Sequence, residues 1–563
     1  MRYIIIIFLL LITNIGFSQY NKNNYSTKSK KAIKLFESAY RSYNSMKYED
    51  ALKYLAMAKK ADKKFIEPYL LEANIFEETA YYQKEIDAYK AALAIDSNFS
   101  ANIYYFLGET EYRMAFYDAS VKHLMRVAEF KDAKPRIKKM AQIILERAIF
   151  AAQAVKHPVP FKPVNLGDKV NSKYDEYWPS LTADEQTLFI TRLVPIDKHY
   201  PVSEINGQED FYYSIKQEDG SWGIANSLGY PINTPNNEGA PTVSADGQSY
   251  YFTACNRKDG LGKYDIYFSK RIGDKWTKPV NIGAPVNTKY WESQPSISAD
   301  GQRLFFVSSR PGGKGELDIW VSHLQANGKW GVPVNLGDSI NTPLKEMSPF
   351  IHPDGKTLYF SSDGWVGMGG DDLFIARQKD SDTSWFTPKN LGYPINTNGD
   401  EIGLIVNTRG NLAMFSSRRD AKKGRDIFEF NLPEKFRPDT VIYVTGKVYD
   451  NKTKTPLGTK IELFDLKTSE RVALLSSNDG DGTFLVCLPT GKDYALSIRK
   501  TGYLFYSENF SLKQAKNDLK NFKLDVPLEP IDIGNKVVLK NIFFETDKYN
   551  LKPESKIELQ NLI

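Results

Sequence analysis

From about residue 26 to residue 155, apolar side chains recur at i, i+3, i+4 and i+7, as Leu52, Leu55 and Ala56 do, with polar residues between them. That spacing lays one apolar stripe along a helix and predicts an all-α segment. The stripe itself repeats. Tyr48, Tyr82 and Phe116 lie 34 residues apart and each leads a helix-forming run, while Pro68, Ala101 and Pro135 are expected to close the same units. After Pro158 and Pro160 the texture becomes β, with a period near 54 residues. Gly239 to Ala254, Ser293 to Ser309 and Met347 to Ser362 each read as strand, tight turn, strand, and Asp-Gly at 246–247, 300–301 and 354–355 predicts two-residue hairpins. Trp178 to Thr191 and Gly403 to Ser417 are divergent copies. A third strand opens at Asp210, Asp265, Asp318, Asp372 and Asp426, and a fourth is expected to carry Trp222, Trp276, Trp330 and Trp385.

Four strands per repeat, radially arranged, predict a five-bladed all-β propeller over residues 161–432. The fifth copy stops at Phe428 to Phe430 without its own tryptophan strand, while Phe161 to Gly167 matches the Lys278 to Gly283 end of a fourth strand. An N-terminal strand that completes the last blade would close the ring without a free edge. Residues 439–530 alternate as a β-sandwich does, with apolar Ile461, Leu463 and Phe464 and turn signals at Asp479-Gly480 and Asp481-Gly482. Residues 536–563 read as a strand, a loop and a helix start with Pro553 at its first position, an incomplete α+β tail. At the other end, Met1-Arg2-Tyr3 and the apolar run Ile4 to Ile12 are too short to span a bilayer. With small Gly16 and Ser18 before Gln19, residues 1–18 read as a signal peptide.

Four resemblances follow from these residues. The 34-residue period of 26–155 resembles a tetratricopeptide array of about three repeats, with Arg136 to Val155 as its capping helix, and implies a concave surface for peptides or protein helices. The S-x-D-G turns and D-[IL]-[YW] strands of 161–432 resemble the TolB-like, WD-type propeller repeats. Gly446-Lys-Val, Gly482-Thr-Phe and Lys500-Thr-Gly-Tyr503 resemble a carboxypeptidase regulatory-like domain, which implies a non-catalytic spacer. Val537 to Asp547 resembles the opening of an OmpA-like peptidoglycan-binding domain, whose ligand-binding residues lie in later segments that have no counterpart here.

Composition narrows the function. Hydrophobic residues at 42% and charged residues at 25% describe globular modules and exclude a polytopic membrane protein or a wholly disordered chain. A net charge of +6, from 74 basic against 68 acidic residues, gives no reason for a nucleic-acid partner. Cys255 and Cys487 fall in different modules and are expected as buried free thiols. Five scattered histidines show no metal-binding spacing, and no nucleophile elbow or phosphate loop is present, so no cofactor or metal is expected. Arg310 to Gly315 reads as a blade turn, and Asn478 to Gly482 as a turn rather than a calcium loop.

One constellation repeats with the blades. Glu176, Glu238, Glu292, Glu346 and Glu401 each stand just ahead of the inner hairpin. They either accept backbone N–H bonds and lock blades together, or line the channel as an acidic rim for a basic ligand. The order of modules resembles the PorE-type, OmpA-family envelope proteins associated with type IX secretion. That resemblance implies a non-catalytic scaffold, periplasmic and associated with the outer membrane, with protein partners on the array and propeller. Outer-membrane proteins are expected among them, and peptidoglycan only through a completed tail. The alternative is an enzyme accessory or a carbohydrate- or peptide-binding protein that uses the propeller as its ligand site.

Overall fold

A computed structural model describes residues 25–197, 199, 202, 206–379, 384–419, 424–513, 522–534, 536–537, 539–544, 549–552, 555 and 558–559. The expected signal peptide, residues 1–18, lies outside them, as do Pro553 and residues 545–548 of the tail. The chain divides into two compact units at Lys156 and His157. Among the described residues no helix is long and apolar enough to cross a membrane.

The first unit is a tetratricopeptide-like array of seven described helices: α1 (Lys30–Asn44), α2 (Tyr48–Ala61), α3 (Glu67–Glu78), α4 (Tyr82–Ile95), α5 (Ala101–Arg113), α6 (Tyr117–Val127) and α7 (Pro135–Lys156). Each pair turns through a residue in the left-handed region, Met46, Ala80 and Ala115, with φ of 57°, 58° and 61°. The Lys47, Tyr81 and Phe116 amides then reach back to carbonyls five residues earlier, which terminates the first helix of each pair. Close packing within the third pair needs Gly108, because a Cβ there would stand 2.6 Å from Leu124 Cγ. Two expectations change. Pro68, Ala101 and Pro135 open helices rather than close them, and the two prolines suit a first turn, where no N–H has to be satisfied. The third aromatic wedge is Tyr117, 5% exposed, and not Phe116, which is 44% exposed, so the third unit starts one residue late.

Among the described residues the second unit contains five antiparallel blade sheets, four of four strands and one, the second, with the short Lys275–Trp276 as a fifth. Their innermost strands are Glu176–Leu181, Glu238–Val243, Glu292–Ile297, Glu346–Ile351 and Ile402–Val406. Each touches its two flanking counterparts and the first touches the fifth, so blades 1 to 5 form a closed ring. Blade 5 takes Val164–Asn165 as its outermost strand, with Val164 opposite Glu429 and Asn165 opposite Phe428. Apolar side chains fill the space between blades, as Phe305, Ile319, Val321 and Ile340 do against Phe360 and Phe374. The Asp-Gly turns are longer than two residues. Ser244 N–H donates to the Ser249 carbonyl, and Asp246 accepts from both the Ser244 hydroxyl and the Gln248 amide, which stabilises a four-residue loop around Gly247 at φ 70°. The fourth strands are two-residue segments such as Val280–Asn281 and Val334–Asn335, and the tryptophans precede them on bridges to the third strand.

Two further four-stranded sheets pack as a sandwich around Val444, Ile461, Leu463, Val486, Tyr494 and Leu496. One has the order Thr483–Pro489, Val441–Asp450, then Phe522–Lys523 and Val526–Leu528; the other has Arg471–Ser476, Lys460–Asp465, Asp493–Ile498 and Tyr506–Ser511. The described part of the tail is tied to this second sheet. Asn509 donates to the Lys540 carbonyl at 2.9 Å, and buried Glu558 accepts from Ser507 and from Asn541.

Candidate functional site

All five glutamates are buried, none more than 2% exposed, so they do not form an exposed rim. Each carboxylate accepts from the backbone N–H and the hydroxyl of the residue four positions earlier: Ser172, Thr234, Thr288, Thr342 and Thr397. That residue lies in the link arriving from the preceding blade. The lock therefore joins each link to the inner strand it feeds, and its donors come from four residues away in the chain.

Four of the five carboxylates face an arginine. Arg192 Nε stands 2.6 Å from Glu176, Arg257 2.9 Å from Glu238, Arg310 3.2 Å from Glu292 and Arg419 3.8 Å from Glu401. The same guanidinium groups donate to the link carbonyls of Val170, Ile232, Val286 and Ile395. Burial pushes the carboxyls of Glu176, Glu238 and Glu401 above the usual range, against the hydrogen bonds and arginines that pull them down. Glu346 has no such arginine. Trp365 Nε1 donates to the Ile340 carbonyl at 2.8 Å instead, and burial raises the Glu346 carboxyl to about 7.

A second recurrent group holds the same links. Asn171, Asn233, Asn287, Asn341 and Asn396, all but one of them 0–2% exposed, each accept from and donate to the backbone of one third-strand residue, respectively Ile427, Phe211, Ile266, Ile319 and Leu373. Distances run from 2.8 to 3.0 Å. Sequence reasoning missed this clamp, although the recurring Ile-Asn-Thr and Val-Asn-Thr triplets carried its signal.

Inside the ring, Trp178, Ala240, Gln294 and Ser348 sit two residues after their glutamates with φ between 49° and 52°, and Gly403 matches them at 66°. The inner strands bulge there. Trp178 Nε1 donates to Ser348 Oγ at 3.2 Å, and the Ser348 amide donates to Gln294 Oε1 at 2.6 Å, so the axis is bridged. The cavities along it measure about 40 and 50 Å3. A bound water needs roughly 10–15 Å3 and a small-molecule site about 300–1,000 Å3, so these two cavities have room for a few waters and are well below the size of a small-molecule site. At the far end Ala183, Ala245 and Ala299 leave room for Tyr443, Leu485 and Cys487 of the sandwich, which stopper the channel. The thiols of Cys487 and Cys255 are both free, and burial pushes each to about 12.

A larger space lies beside the stopper. A cleft of about 470 Å3 separates blades 2 and 3 from the sandwich, with Tyr251, Phe268 and Gln325 on one wall and Lys460, Arg471 and Leu475 on the other. Near it the Asn478–Gly482 segment is a turn docked on the propeller: Lys270 pairs with Asp479 at 3.0 Å and Gly273 N–H donates to Asn478 Oδ1 at 3.4 Å.

No family model and no curated protein matches the chain. Among solved structures, the first tetratricopeptide domain of Spaghetti bound to an HSP90 peptide is 17% identical, with 23% of this chain and 98% of that one covered and a TM-score of 0.20. The Yersinia enterocolitica type III secretion chaperone SycD in complex with a YopD peptide is 20% identical over 21% of this chain and 90% of its own, at a TM-score of 0.19. An α-L-arabinofuranosidase from Lactobacillus brevis is 14% identical over 49% of this chain and 97% of its own, at a TM-score of 0.34. At such scores the likenesses decide nothing about chemistry; the array and the propeller rest on their own helix pairs and strand pairings.

Proposed function

We propose that this chain is a non-catalytic scaffold of the bacterial envelope, periplasmic at the outer membrane, that gathers protein partners on its helical array and propeller. The observation that carries the reading is how the repeated charged residues are used. The five glutamates and the four arginines that face them, which a binding or catalytic propeller would turn toward a ligand, are spent on holding links to strands, and the two cavities described along the axis have room for a few waters. The finer identification, a PorE-type member of the OmpA family serving type IX secretion, rests on the order of modules read in the sequence. In that reading the regulatory-like sandwich is a spacer, and a completed OmpA-like domain would supply the hold on peptidoglycan.

Deleting residues 26–155 from the full chain tests the partner role. Cross-linked pull-downs should lose the partners while the propeller keeps its unfolding transition; unchanged recovery would move binding to the propeller. Fractionation of cells should place the chain with the outer membrane, and recovery in the cytoplasm would overturn the localisation. Purified sacculi should not sediment this chain in a way that depends on Val537 to Ile563.

A further inference from the structure

The sandwich has three long edge strands, and the structure covers two of them. Thr483–Pro489 meets the propeller, where Gln248 Nε2 donates to the Thr483 carbonyl at 3.1 Å. Tyr506–Ser511 is met by the tail through Asn509 and Ser507. The third, Arg471–Ser476, pairs with Lys460–Asp465 alone, and among the described residues no backbone group from Arg471 to Ser476 bonds outside that hairpin. Ser477 N–H donates to the Thr459 carbonyl at 2.9 Å, with Ile461 opposite Leu475 and Leu463 opposite Ala473. Alternation along an antiparallel pair then turns the N–H and C=O groups of Leu474 and Ser476 outward, up to the bulge where Phe464 faces Arg471. An unblocked edge is a template for another strand.

This edge does not face open solvent. Arg471, Ala473, Leu474, Leu475 and Ser476 all line the cleft against blades 2 and 3, whose volume of about 470 Å3 is of ligand size. We propose that the edge strand Arg471–Ser476 receives one extended peptide segment of a protein partner, which adds to the sheet as a fifth strand within the cleft. The opposite wall decides the occupant. Tyr251 and Phe268, with ring centroids 4.9 Å apart, and Leu324 bound the space on the propeller side, so a single chain fits where the edge of a second sheet collides with the blades. The backbone supplies affinity, and alternate side chains of the peptide meet the aromatic wall. Charge adds a preference. Lys460 lines the cleft, whereas Lys270 and Arg471 are paired with Asp479 and Glu462 at 3.0 and 2.9 Å and Asp246 and Asp300 are engaged by the serine and glutamine of their own turns, so the favoured segment is apolar at alternate residues and acidic where it passes Lys460.

The proposal rests on the scaffold reading only in supposing a protein partner, and it is tested separately from the array. The probe is a fluorescent peptide of alternating valine and glutamate, titrated into the full chain. Binding should protect the Leu474 and Ser476 amides from hydrogen exchange. N-methylation of alternate peptide residues in one register should weaken binding by about tenfold or more, and in the other register should leave it unchanged. Gln325→Trp, an exposed-turn change on the propeller wall, should abolish binding without lowering Tm. No binding up to about 1 mM, equal loss in both methylation registers, or full binding by Gln325→Trp overturns the proposal. Self-association of the chain that Gln325→Trp removes would give the edge to a second copy and overturn it as well. Loss of partners on deleting the array bears on none of these readouts.

Discussion

Blades 3 and 4 are adjacent, similar in sequence and built on the same lock, yet they treat their glutamate differently. In blade 3, Arg310 does two jobs: it donates to the Pro285 and Val286 carbonyls of the link, and it stands 3.2 Å from Glu292 as counter-ion. In blade 4 the equivalent turn places Gly364 where a Cβ would collide with Thr342, and the neighbouring Trp365 takes over the carbonyl while nothing replaces the cation. The hydroxyl donors are the same, Ser308 at 2.9 Å and Ser362 at 2.7 Å. What the architecture requires is thus a donor to the link carbonyl; the ion pair is dispensable. The cost of dropping it is a carboxyl raised to about 7, mainly by burial, with Asp318 nearby adding to the rise.

The sharpest way to break this comparison is Glu292→Gln. It leaves the Arg310 guanidinium buried without its counter-ion and should cost about 3–5 kcal/mol in urea unfolding, far more than Glu346→Gln; equal losses would end the distinction. Asn287→Ala and Asn341→Ala should each cost roughly 2–3 kcal/mol, because each orphans a buried N–H and C=O, and the two should agree, since the clamp is common to both blades. The pH dependence separates the blades again. The folded state holds the Glu346 proton more tightly than the unfolded chain does, so this group's contribution is fully present below the unfolded carboxyl range and is lost as pH rises through about 7. Glu346→Gln should therefore remove roughly 2–3 kcal/mol of stability change between about pH 4.5 and 7.5, whereas a parallel pH profile in wild type and variant would show the carboxyl unperturbed. The smallest effect is expected of Trp365→Phe, which keeps the packing and loses one bond to a buried carbonyl, for about 1–2 kcal/mol by thermal denaturation.

Periodicity made the modules legible. A 34-residue helical period and a 54-residue β period needed only the spacing of apolar residues and turn signals, and the segment from Phe161 to Gly167 revealed ring closure because it duplicated a fourth strand out of order. The site was harder to read. The glutamates were conspicuous as charges, but whether a carboxylate faces a channel or a backbone amide depends on the bulge two residues later, at Trp178 and its equivalents, and a positive φ at alanine, glutamine or serine leaves no mark in sequence. The asparagine clamps escaped for the opposite reason: they were visible in every repeat, but Asn is so common in turns that its role as a bidentate bridge needed the third strand beside it. The cleft was illegible altogether, since it forms where two modules distant in sequence face each other.

The strand Val164–Asn165 finds its partner, Phe428 and Glu429, only after about 260 further residues have been made. At a synthesis rate of roughly 5–20 residues per second, Val164–Asn165 waits some tens of seconds for its partner, whereas each of blades 1 to 4 draws its strands from one continuous stretch of chain. The propeller is therefore a clasp that fastens last, and until it does, the link carrying Asn171 has nothing to grip, because Ile427 lies in the same late strand. A chaperone or export factor that delays this segment would meet an open arc of blades rather than a ring.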